Sequence, residues 1–174
     1  MNKFKSKVKL VIHNSQKCIK SSNGVSNTCE ASLYQIQMDI IVKELEKLLR
    51  LQCYEKVLTI STEELEFHPR EKRFLRIKAI AAGFVGDHRL ARDMFYKLIL
   101  EGGHELDVAN YIVSLFACLE TGFAISVIDL FFARVGLEAQ WIIETALDEA
   151  VRSGQIDQFK LLPLKIQEII KVST

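Results

Sequence analysis

A chain of 174 residues, 49% of them hydrophobic, is long enough to bury a core without disulfides or metal. Two prolines, eight glycines and abundant Leu, Ile, Lys and Glu favour helices over sheet. The net charge of +1 hides an asymmetry: six of the 23 basic residues lie in residues 1–29 without an acid, leaving 17 against 22 acids and a net of −5 beyond them. A mildly acidic body argues against a broad nucleic-acid surface, which needs clustered positive charge.

In chain order, the basic segment holds Lys3, Lys5, Lys7, Lys9, Lys17 and Lys20. Its "KFKSKVKLVIH" alternates like a strand, but a lone strand is not stable. The apolar run Val8, Leu10, Val11, Ile12 is broken by Lys9 and too short for a secretory signal, so a reducing, cytoplasmic setting is expected. "KSSNGVSNTC" (20–29) is small, polar and turn-rich, as a linker is. Residues 1–29 are therefore expected to form a flexible basic extension, and residues 30–174 a helical-repeat domain.

From about residue 31 the period is helical. Leu33, Ile36, Ile40, Ile41, Leu45, Leu48 and Leu49 recur at three- and four-residue steps; Leu90, Ala91, Met94, Phe95, Leu98 and Ile99 do so more cleanly. Turn signals near 52, 68–69, 86–87, 101–105, 121–122, 136, 153–154 and 163 cut this body into eight or nine short helices. Short connections make neighbouring helices antiparallel. The turns at 52, 86, 121–122 and 154 recur at close to the roughly 34-residue tetratricopeptide period, and Ala91 and Phe95 form that motif's A-x-x-x-F pair. The expected fold is all-α, a tetratricopeptide-like array of antiparallel helical hairpins, with a plain irregular bundle as the alternative.

Catalytic and metal chemistry finds no foothold. The four cysteines (18, 29, 53, 118) lack C-x-x-C spacing, and Cys53 and Cys118 read as small core fillers. His13, His68, His88 and His104 lack metal-ligand spacing. Asp87–His88 and His104–Glu105 have no nucleophile or phosphate loop beside them, and Gly102–Gly103 reads as a helix C-cap. No cofactor, no metal and no enzymatic activity are expected. "PREKRFLRIK" (69–78) carries Arg70, Lys72, Arg73, Arg76 and Lys78, yet the following "DHRLARDMFYKL" is too apolar for a DNA-reading helix. Arg73 and Arg76 share a helix face, fit for solvent or for an acidic partner.

Residues 110–135, "NYIVSLFACLETGFAISVIDLFFARV", carry charge only at Glu120, Asp129 and Arg134. "ETG" near the middle argues against a membrane span. A central hairpin packed between neighbouring units explains two apolar faces, and a third is left over. In such repeats the first helix of each pair lines the concave side. That aligns Val42 and Leu49 with Ile80 and Phe84, then Ile112, Phe116 and Leu119, with Trp141 at the far end. The stripe suits an amphipathic partner helix.

Two stretches, "RFLRIKAIAAGFVGDHRLA" (73–91) and "SLFACLETGFAISVIDLFFARV" (114–135), resemble the tetratricopeptide-like chaperones of the needle subunit in bacterial type III secretion. The resemblance spans about residues 36–155. It implies a cytoplasmic, non-enzymatic chaperone that clasps the needle subunit's C-terminal amphipathic helix against early polymerisation and binds a small co-chaperone. Carried onto this chain, the groove positions are Ile80, Phe84, Phe116 and Leu119. The basic extension departs from that family, and its acidic, alanine-rich first helix pair is not evident in 36–65. The alternatives are a helical-repeat adaptor in another protein assembly, and a nucleic-acid-binding regulator using the basic tail and residues 70–78.

Overall fold

A computed structural model describes residues 27–156 and 166–167. The expected basic extension falls outside the described residues except for its last three, which are helical. All the regular structure described is helical: α1 (Asn27–Arg50), α2 (Tyr54–Phe67), α3 (Lys72–Phe84), α4 (His88–Leu100), α5 (Glu105–Ala117), α6 (Thr121–Phe131) and α7 (Leu137–Arg152), with a single 3-10 turn at Phe132–Arg134. The eight or nine helices expected become seven among the described residues. The rest of the fourth expected unit, including Pro163, falls mainly outside them.

The chain divides into two compact units, Met1–Gln52 and Cys53–Thr174. In the first, α1 buries Met38, Ile41, Val42 and Leu45, a three- and four-residue spacing that makes one helix face. Ile36 and Ile40, expected on that face, are exposed.

In the second unit each helix from α2 to α5 packs on the next, and α5 also packs on α7, past α6. That skip contact is what stacking of successive hairpins produces. The hairpin turns repeat one backbone device. Gly86, Leu119 and Gly154 all adopt a left-handed φ (88°, 62° and 75°). In each turn the next residue's N–H reaches back five residues: Asp87 to the Ala82 carbonyl, Glu120 to Leu115 and Gln155 to Ala150, each at 2.9 Å. This Schellman closure satisfies carbonyls that a helix end would otherwise orphan. Gly102 (φ 77°) ends α4 in the same backbone region, as the Gly102–Gly103 reading expected.

The core runs through α3, α4, α5, α6 and α7. Ala91 and Phe95 on α4 are buried, and so are Ala124 and Ile128 on α6 and Val57 and Ser61 on α2. The small-then-large pair thus recurs with an aliphatic residue in place of the aromatic. In α2 the second position is Ser61, whose hydroxyl donates to the Val57 carbonyl at 2.7 Å. Ile143, Leu147 and Ala150 extend the same core into α7, and Ile166 joins it.

Candidate partner-binding surface

The first helices α3, α5 and α7 carry the residues expected to line a groove, and their caps fix where those side chains fall. Glu71 caps α3, accepting the Arg73 N–H at 3.2 Å and the Arg73 Nε–H at 2.9 Å. The Arg73 bonds hold the Glu71 carboxyl below the usual glutamate range. α5 opens on a reciprocal capping box between His104 and Asp107, where the His104 N–H donates to Asp107 at 2.8 Å. His104, one of the histidines without metal-ligand spacing, is thus a helix cap.

Asp107 is fully buried and is the polar centre of this unit. Arg76 donates to it in fork geometry, Nε at 2.6 Å and Nη2 at 2.7 Å. The bonds to Asp107 also hold the Arg76 guanidinium more firmly protonated than usual. A Cβ at Gly103 would sit 2.8 Å from this carboxylate and 2.7 Å from the Leu98 carbonyl, so only glycine fits there. Two further links lie at the same end: Lys72 donates to the Glu101 carbonyl within the α3–α4 hairpin, and Glu105 on α5 accepts the N–H of Gly136, just before α7, at 2.7 Å.

These links correct the reading of the cations. Arg76 is committed to a buried carboxylate on the next unit rather than presented to a partner, and Arg73 is engaged with Glu71. The sequence pattern does not single out Asp107, which is one of two acids, with Glu105, in the first turn of an otherwise apolar helix.

The predicted groove residues divide into three groups. Ile112 is fully buried and Phe116 nearly so, both inside the core cluster, so neither is available to line a groove. Val42 in the first unit is also buried, and Leu49 and Ile80 are half-buried. Phe84, Leu119 and Trp141 are open, at 64%, 73% and 65% exposure. Phe84 stacks on Tyr54 with ring centroids 4.5 Å apart. Leu119 lies beyond the end of α5, at the left-handed turn position, not on the helix face where it was placed. Phe84 and Leu119 therefore stand at the hairpin-turn end of the row, and Trp141 near the start of α7 at the opposite end.

The open side of α5 runs instead through Val113 and Ala117, one residue on from Ile112 and Phe116. A single-residue change of phase turns a helix face by about 100°. α5 is apolar on nearly every side, so its pattern could not fix the phase.

Among the described residues no three His, Cys, Asp or Glu side chains cluster closely enough to hold a metal ion. Burial pushes the Cys118 thiol up, which disfavours the nucleophilic thiolate. No described helix is long and apolar enough to cross a membrane. No family model, no curated protein and no solved structure matches the chain.

Proposed function

We propose that this protein is a non-enzymatic helical-repeat scaffold that binds an amphipathic helix of a protein partner along the open side of α3, α5 and α7. The observation that carries this reading is the exposure of Phe84 and Trp141 on helices whose opposite faces fill the core. Large aromatic side chains left in water are the anchors that protein interfaces use. Ile80, Val113 and Ala117 supply the apolar surface between them. The finer reading is a cytoplasmic chaperone of a small secretion-needle subunit, acting with a small co-chaperone. It rests on the resemblance of residues 73–91 and 114–135. An adaptor role in another assembly uses the same surface.

Capture from the native cell tests this directly. The intact chain should co-purify with a small helical protein, and Phe84→Asp and Trp141→Asp should each lose it while circular dichroism stays unchanged. A charge there must be desolvated against the partner's apolar face, at a cost of about 2 kcal/mol or more. Retention of the partner by both folded variants would remove this surface from the account.

A further inference from the structure

The partner-binding row ends on an acidic helix. Ala139, Ile143, Leu147 and Ala150 bury one face of α7 in the core. Leu137 and Trp141, one turn apart on the other side, stand open at 85% and 65% exposure. At about 100° per residue, Glu138, Glu144 and Asp148 all fall within about 60° of Trp141 around the helix. Glu138 is exposed, and Glu144 and Asp148 are half-buried.

No cation on α7 offsets the two glutamates that flank Trp141. The one basic residue of the helix is Arg152 in its last turn, about 16 Å further along the axis. Its guanidinium already lies 3.8 Å from Asp148 and 4.0 Å from Glu149. α5, which packs on α7, carries no lysine or arginine. Its acids are Glu105, bonded to the Gly136 N–H just ahead of Leu137, and Asp107, taken up by Arg76. Arg134, exposed in the 3-10 turn before Gly136, is the nearest cation on the N-terminal side. From Arg134 through Ile156 there are thus four acids against two arginines, one of which is engaged.

Those charges decide what can cover Leu137 and Trp141. Nucleic acid and an anionic lipid surface bring phosphates against carboxylates and are repelled. An uncharged or acidic helix takes Glu138 and Glu144 out of water without a counter-ion, a cost that offsets what the apolar contact gains. A helix with lysines or arginines beside its apolar stripe pairs with both glutamates, and a cation on it can also lie over the Trp141 ring.

We infer that the segment seated on α7 is cationic: an amphipathic helix of a protein partner whose apolar side covers Leu137 and Trp141 and whose lysines or arginines meet Glu138 and Glu144. This assignment rests on the reading of the open side as the partner's seat, and adds the partner's charge to it.

Trp141 is the chain's single tryptophan, so its fluorescence reports on this surface alone. Two synthetic amphipathic helices, one of leucine and lysine and one of leucine and glutamate, are titrated into the full-length chain. The leucine–lysine peptide should bind and move the Trp141 emission to the blue, as a ring leaving water does. The leucine–glutamate peptide should leave it unmoved. Glu138→Gln combined with Glu144→Gln should weaken the leucine–lysine peptide about tenfold at low salt, and high salt should shrink that difference. Should the double variant fail to fold, Glu138→Gln alone, at an exposed position, should weaken it about threefold. A blue shift produced by the leucine–glutamate peptide or by anionic vesicles would overturn the inference. So would leucine–lysine binding indifferent to the glutamine changes, or an emission that neither peptide moves. Capture of the native partner by the wild type and by Trp141→Asp decides the partner-binding reading separately, so either can fail while the other stands.

Discussion

The two central hairpins share one backbone plan and spend it differently. In α3–α4 the turn residue is Gly86, and Asp87 then caps α4 by accepting the Leu90 N–H at 3.1 Å. In α5–α6 the turn residue is Leu119, and Glu120 makes no side-chain cap for α6. Its carboxylate goes to Arg92 on α4 instead. The first hairpin takes the locally favourable choice at both its turn and its cap. The second gives up a favourable turn and a cap, and gains an outward apolar side chain and a bond to its neighbour. It depends on tertiary contacts where the first depends on local ones. Departures from the best local choice of this kind are where function is to be sought.

The largest expected effect lies at the joint between the two hairpins. Asp107→Ala should cost about 3–5 kcal/mol in chemical denaturation, because it leaves the Arg76 guanidinium and the α5 cap without their acceptor. Arg76→Met removes the charge with its partner's geometry largely preserved, yet strands Asp107, so it should cost a similar amount. A loss near that of an ordinary surface substitution, about 0.5 kcal/mol, would mean that the two hairpins do not depend on this pair.

Exchanging the turn residues should have opposite effects. Gly86→Leu forces a side chain into the left-handed region and should destabilise by about 1–2 kcal/mol. Leu119→Gly relieves that strain and should stabilise the protein by up to about 1 kcal/mol, less what glycine's freedom in the unfolded chain removes. Equal signs for the two exchanges would show that the turns are not equivalent.

The caps give the smallest contrast. Asp87→Ala should cost about 1 kcal/mol, and Glu120→Ala less, since its partner Arg92 keeps Asp93 and a part-exposed ion pair contributes little. Thermal melts of the two variants in parallel would show it.

The same contrast explains how much the sequence disclosed. Hairpin boundaries were legible because glycines and polar clusters mark them, and the Ala91–Phe95 pair announced the repeat in α4. The Ala124–Ile128 pair in α6 was overlooked because an aliphatic residue replaces the aromatic. α4 showed its face clearly, with polar residues opposite the buried Ala91, Phe95 and Leu98. α5 did not: Ile112, Val113, Leu115 and Phe116 are all apolar, and only tertiary contact decides which of them faces water. Arg76 was read as a solvated cation for a related reason. Its partner lies 31 residues away on the next unit, beyond any local pattern.

The central claim is that the apolar side chains left open on the first helices serve a partner, while those on the opposite faces serve the core. Ile112→Asp and Trp141→Asp test it most directly, each followed by thermal melting and by capture of the co-purifying protein. Ile112→Asp should unfold the domain, since Ile112 has no exposed surface. Trp141→Asp should melt with the wild type and lose the captured partner. Unfolding by Trp141→Asp, or an unchanged partner in its folded form, would contradict the account.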